Sequence, residues 1–279
     1  MDFKIGYNVK PKEINTVNEV IFEEYAGVDI FRDVLPTKSE CQAYGFIYTG
    51  GKCRIIVNNT EFIQNISTIQ AGKRNTWHGN SDDSLLVGID NTILSNCNNN
   101  LVVGNFNYIN ELVDNSITIG AKADTTATNS IVLAGNPPGN ILAKKQSIQL
   151  LYGIQTLNGT NTVSFLNGIT DSLFAIPENS VMYFHADVVA VRVGGVHATG
   201  AIGDYGSWVE RGVIINKSGV LSINRERDTI KSSGTVTNWQ PTGIANGTNF
   251  AMRVRGHADM TIEWASNITF TEIKTGVTL

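Results

Sequence analysis

The sequence predicts an all-β protein in three parts: a small mixed N-terminal module at 1–60, a short β-solenoid, or β-roll, at 61–155, and a β-sandwich or jelly roll at 156–279. One short phrase recurs at near-constant spacing through the middle of the chain, and alternating apolar and polar runs fill its last third. Charged residues make up only 16% of a chain that carries 27 glycines. A low charge fraction joined to many turn residues fits a turn-rich β protein and argues against disorder.

Residues 1–60 lack the repeat. Lys12 to Tyr25 places Ile14, Val17, Val20, Ile21 and Tyr25 on one helical face, although Val20-Ile21-Phe22 also reads as strand. Thr37, with Glu40 three residues on, forms a capping box and predicts a helix over Lys38 to Tyr44, with Gly45 placed to end it. Phe46 to Tyr48, a turn at Thr49-Gly50-Gly51-Lys52, and Cys53 to Val57 read as a hairpin. Three cysteines, Cys41, Cys53 and Cys97, cannot make a complete disulfide framework. Cys41 and Cys53 are spaced to bridge or to share a metal, and buried thiols in a reducing cytoplasm are the preferred reading.

The middle of the chain repeats Ser84-Leu-Leu-Val-Gly88 as Asn100-Leu-Val-Val-Gly104, Ser116-Ile-Thr-Ile-Gly120 and Ser130-Ile-Val-Leu-Ala134. The first apolar positions, Leu85, Leu101, Ile117 and Ile131, step by 16, 16 and 14 residues. Fainter copies at Thr68 to Gly72 and Ser147 to Leu151 bring the expected count to six rungs. A fixed period marks units that cannot bury an apolar face alone and must stack. Before each strand stands a turn residue, Asp83, Asn99, Asn115 or Asn129, and Gly72, Gly88, Gly104 and Gly120 close the strand where positive φ is wanted. A second short strand fits at Ile93 and Ile109. At about 4.8 Å per rung the roll would be roughly 29 Å long. So thin a coil has little core, so a homotrimer is expected, with Leu85, Val87, Leu101, Val103, Ile117, Ile119, Ile131 and Leu133 as shaft core and trimer contacts.

From Val181 onward the pattern is that of an all-β domain. Val181 to Val193 is apolar on both faces and reads as a central strand. Phe250, Met252 and Val254 alternate with Arg253 and Arg255, and Ile262, Trp264, Ile268 and Phe270 continue the inward pattern. Trp208 to Ile215 and Gly219 to Asn224 make two more strands around a turn at Asn216.

Asn115 to Gly135 resembles the head domain of trimeric autotransporter adhesins, whose repeat runs Asn-Ser-(Ile/Val)-Ala-Ile-Gly. That resemblance implies a left-handed β-roll in a tight trimer, a fold also used in bacteriophage fibres. Ser39-Glu-Cys-Gln-Ala-Tyr-Gly-Phe-Ile-Tyr with Gly51-Lys-Cys-Arg resembles a small module near the N-termini of some phage structural proteins. Ser207 to Gly212, Val254-Arg-Gly256 and Thr261-Ile-Glu-Trp264 resemble the β-sandwich that ends many phage virion proteins. Together these imply a structural virion fibre protein of the head or tail, joined to a capsid or tail protein by its N-terminus. Its C-terminal tip would adhere to a host-surface glycan or protein. The alternatives are a polysaccharide-cleaving tailspike and a fragment of a bacterial trimeric adhesin.

Other functions find little footing. A net charge of −4 and a sequence pI near 5.6 with no basic stripe argue against nucleic acid. No apolar run is long enough for membrane insertion, and the N-terminus lacks the apolar region of a signal peptide, so assembly in the host cytoplasm and display on the virion are expected. Asp82, Asp83, Asp90, Glu111, Asp114 and Asp124 do not form a recognisable acid pair in an aromatic setting, so no enzymatic activity is expected. His78, His185, His197 and His257 lack metal-ligand spacing, and no cofactor motif occurs, so neither metal nor cofactor is expected. Tyr205, Trp208 and Trp239 are the candidate host-surface contacts, because aromatic rings stack on sugar faces, although core is the commoner place for such tryptophans.

Overall fold

The computed structural model of the chain describes residues 9–15, 19–27, 30–44, 46–54, 69–79, 81–233, 236 and 238–276. Val17 of the expected helical face, Gly45, Ile55 to Val57 of the expected hairpin and Thr68 of the first repeat lie outside them. Two compact units divide the chain, Met1–Gln64 and Asn65–Leu279.

In the first unit, β1 (Val9–Ile14), β2 (Val20–Gly27) and β3 (Ile30–Val34) form an antiparallel sheet in that order. The helical face expected over Lys12 to Tyr25 does not form. Val20 and Phe22 are buried while Ile21 is only half-buried, the period of two that a strand imposes. The capping box is present on α1 (Lys38–Ala43): Glu40 N donates to Thr37 Oγ1 at 3.3 Å and Thr37 N to Glu40 Oε2 at 2.7 Å. A hairpin of β4 (Ile47–Thr49) and β5 (Lys52–Arg54) follows. Cys41 and Cys53 are joined in a disulfide, their Cα atoms 5.5 Å apart, which corrects the free-thiol reading. With Val20 and Phe22 they make the core of the unit, tying the helix to the hairpin.

The second unit begins with the solenoid. One face stacks β6 (Ile69–Lys73), β8 (Leu85–Ile89), β10 (Leu101–Asn105), β12 (Ile117–Ala121) and β14 (Ile131–Gly135), all parallel. The other stacks β7 (Thr76–Trp77), β9 (Thr92–Ile93), β11 (Tyr108–Ile109) and β13 (Asp124–Thr125). The repeat is in register throughout, Leu85 pairing with Leu101, Leu101 with Ile117 and Ile117 with Ile131. Corner residues Asp83, Asn99, Asn115 and Asn129 take the left-handed conformation, φ 52 to 57°, as their types allow. A Cβ added at Gly72, Gly88 or Gly104 would fall on the carbonyl oxygen of the next glycine in the column, and one at Gly120 on that of Ala134.

Three buried asparagines, Asn75, Asn91 and Asn107, clamp successive coils. Asn91 Nδ2 donates to Gly104 O at 2.7 Å, and Asn91 Oδ1 accepts from Asn107 N at 3.1 Å. The pattern repeats one coil on, where Asn107 reaches Gly120 O at 3.0 Å and accepts from Ala123 N at 3.0 Å. A side chain thus supplies the hydrogen bonds that backbone at a corner lacks. Asn91→Ala would strand two buried groups, so chemical unfolding should show a stability loss on the order of 3 kcal/mol. A loss under about 0.5 kcal/mol would refute the clamp.

After the solenoid comes β15 (Lys145–Thr156), which carries the sixth expected rung at Ser147 to Leu151. It is no rung: it runs antiparallel to β14 and pairs along its whole length with the last strand of the chain. The remaining strands are β16 (Asn161–Leu166), β17 (Phe174–Ala175), β18 (Ser180–Gly194), β19 (Tyr205–Lys217), β20 (Val220–Ser232), β21 (Gln240–Asn246), β22 (Asn249–Arg255) and β23 (Thr261–Lys274). One sheet runs β20-β19-β18-β23-β15 and continues without a break into β14 and the parallel face of the solenoid. Strand β22, with β16, β17 and β21 beside it, packs over part of that sheet: Phe250 lies 5.2 Å from both Phe184 and Phe270, and the Tyr152 hydroxyl donates to Phe250 O at 3.3 Å. Strand β18 is central, as expected, yet only its Met182, Phe184, Ala186, Val188 and Ala190 face is buried; Tyr183, Val189 and Val193 are exposed.

Candidate functional site

The residues assigned to the shaft core lie on the outside of the coil. Leu86, Val102, Thr118 and Val132 point inward, opposite Ile93, Ile109 and Thr125, and the Thr118 and Thr125 hydroxyls meet at 2.6 Å. Leu85, Ile117, Ile119, Ile131 and Leu133 are exposed, Leu133 to 48%, and Val87, Leu101 and Val103 are half-buried. The shaft-core assignment is therefore corrected by one residue. In a strand whose three apolar positions are consecutive, a shift of one moves the whole set to the other face.

What the shift leaves is two apolar rows on one flat face. Leu85, Leu101, Ile117 and Ile131 make the first, and Val87, Val103, Ile119 and Leu133 the second. Both turn polar on entering the antiparallel sheet. Ile131 is followed by Gln149, Thr269 and His185, and Leu133 by Ser147, Thr271 and Tyr183. Polar contacts on that part include Gln149 Nε2 to Asn267 Oδ1 at 2.9 Å and His185 beside Asp187 at 3.3 Å. A shallow hollow of about 350 Å³ opens beside them, lined in part by Leu151, Gly153, Gln155, Asn167, Glu263 and Ala265.

Of the three candidate host contacts only Tyr205 is exposed. Trp208 and Trp239 are corrected to core: Trp208 stacks on Trp264 at 5.7 Å and Trp239 lies 6.1 Å from the same ring. Their apolar area is better buried among one another than spread on the surface.

Three of the acids in the coil, Asp90, Asp114 and Asp124, have structural partners. Asp90 pairs with Arg74 at 2.6 Å, Asp114 accepts from Asn98 N at 2.6 Å, and Asp124 pairs with Lys274 at 3.0 Å. Two further acids, Glu210 and Glu272, are fully buried. Burial pushes the Glu210 carboxyl up, against the pull of the Gly243 N–H at 2.9 Å and of Arg225 at 3.2 Å. Burial likewise pushes Glu272 up to about 7, opposed by Lys274 and by the Gln146 amide at 2.7 Å, with Asp124 adding to the rise. A carboxyl raised in the folded state is held without cost below its unfolded value of 4.5, and its contribution is lost as pH climbs through about 7. Glu272→Gln should therefore raise stability by roughly 3 kcal/mol at pH 8 and leave it unchanged at pH 4, measured by urea unfolding at both.

Histidines that are distant in sequence are not all distant in space. His197 and His257 meet with ring centroids 4.2 Å apart. No group of three or more His, Cys, Asp or Glu suited to a metal occurs among the described residues, and no helix there is long and apolar enough to cross a membrane.

No protein-family model matches the chain, and no curated protein matches it. Among solved structures it is similar to the tailspike protein of Acinetobacter baumannii phage AM24, at 10% identity and a TM-score of 0.28 over 75% of this chain and 50% of that one. It is also similar to the tailspike protein of Acinetobacter phage vB_ApiP_P1, at 11% identity and 0.28 over 79% and 58%. A third is tailspike gp49 of A. baumannii bacteriophage Fri1, a capsular polysaccharide depolymerase, at 8% identity and 0.25 over 72% and 44%. The chain spans about half the length of these tailspikes. The last of them is by its description an enzyme, and on that finding the expectation of a chain without enzymatic activity is withdrawn.

Proposed function

We propose that this chain is part of a homotrimeric phage fibre or tailspike, docked to a capsid or tail protein through its N-terminal unit and presenting its C-terminal sheets to a host-surface glycan. The observation that supports it is the pair of apolar rows on the outer face of the solenoid. Each coil repeats the same side-chain positions one strand spacing on, so a second copy laid alongside meets apolar partners at every rung. Water-exposed Leu133 and Ile119 are costly in a lone chain and favourable between three. On β15, β23 and β18 the two rows are continued by Gln149, Thr269 and His185 and by Ser147, Thr271 and Tyr183, and the hollow at Gly153 and the exposed Tyr205 of β19 offer groups suited to a hydrated ligand.

Purified protein added to host cells ahead of the phage tests the adhesive role. Saturating protein should block adsorption; undiminished adsorption would overturn the reading. Release of oligosaccharide when the protein is incubated with host capsule reads cleavage in the same preparation.

A further inference from the structure

The loop between β18 and β19 and the loop between β22 and β23 are fixed to each other. His197 N donates to Asp259 O at 3.1 Å, and Gly195 lies so close to the Asp259 carbonyl and Met260 that a Cβ has no room. Buried Arg192 holds the first loop from beneath, its guanidinium donating to Gly194 O, Gly195 O, His197 O and Thr199 O, each at 3.1 Å. Five donors in a rigid fork, four of these bonds made to one loop, leave that segment little freedom.

This frame places His197 beside His257, both half-buried, with ring centroids 4.2 Å apart and planes at 70°. Each Nδ1 lies on a backbone carbonyl, His197 on Thr199 O at 3.2 Å and His257 on Ala258 O at 3.1 Å. With the proton on Nδ1 and donated to that carbonyl, each Nε2 keeps a lone pair. A ring held through Nδ1 and free at Nε2 is the form in which histidine ligates metals. Thr199 N also donates to His197 Nδ1 at 3.1 Å in the other tautomer, so a bound ion would select between the two.

We propose that His197 and His257 form a two-imidazole site for a divalent first-row transition ion, Cu²⁺, Ni²⁺ or Zn²⁺, with water completing the coordination. Imidazole suits these ions, and two nitrogens on rigid loops bind them without a third protein ligand, though less tightly than a closed four-ligand site.

Titration of the full chain with Ni²⁺, followed by calorimetry, tests this. One ion per chain is expected, bound at least tenfold more weakly in His197→Ala and in His257→Ala, since even the loss of an outer partner weakens metal binding roughly tenfold. His185→Ala should bind as the parent does. Thermal unfolding of the same proteins guards against a misfolded variant: Ni²⁺ should raise the midpoint of the parent and of His185→Ala by more than that of the other two. Absence of saturable binding in the parent, or equal affinity and equal thermal shift in His197→Ala or His257→Ala, would overturn the proposal.

Discussion

Gly104→Ala is expected to abolish the solenoid. The residue has φ 127°, and the added methyl would occupy the position of the Gly120 carbonyl oxygen, which is fixed by the next coil and cannot retreat. A backbone atom held on both sides does not yield as a flexible side chain would, so a cost above about 4 kcal/mol is expected. Loss of the cooperative thermal transition, or recovery of the chain only as aggregate, would register it. Gly139→Ala is the control: it has open space around it, and its effect should stay within about 0.5 kcal/mol. Equal stability of the two variants would mean that the coils are not stacked as described.

Two aspartates placed one residue apart should have opposite consequences. Val102 is wholly buried between the two faces of the coil, and Val102→Asp puts an unpaired carboxylate there at a cost above about 4 kcal/mol, so the chain should not fold. Val103 faces outward, and Val103→Asp should leave each chain folded while preventing copies from associating. Circular dichroism reads the first effect and sedimentation the second. A Val102→Asp protein that folds, or a Val103→Asp protein that assembles as the parent does, would count against this arrangement.

That pair also shows why the sequence revealed the coil and misplaced its inside. Spacing alone locates the strands, because Leu85, Leu101 and Ile117 recur at 16 residues, and the corner asparagines announce their left-handed turns. Facing is another matter. Leu85-Leu86-Val87 and Leu101-Val102-Val103 have no polar member to break the tie, and in Ile117-Thr118-Ile119 the polar residue points inward, satisfied by Thr125. A buried hydrogen-bonded pair of threonines reverses the usual rule that polar means outside. The asparagine clamps left a readable trace, since Gly72, Gly88 and Gly104 are each followed three residues later by Asn75, Asn91 and Asn107. The antiparallel direction of β15 left none: Ser147-Ile148-Gln149-Leu150 alternates as a rung would, and only its pairing with β23 across the chain sets its course. The contact of His197 with His257 is of the same kind, made by two loops joined where His197 N donates to Asp259 O rather than by any local spacing.

The oligomeric state in solution tests the central claim most directly. Sedimentation equilibrium of the full chain should return the mass of three copies. A folded, monodisperse single copy that keeps Ile117, Ile119, Ile131 and Leu133 in water would contradict the claim that sister chains cover this face.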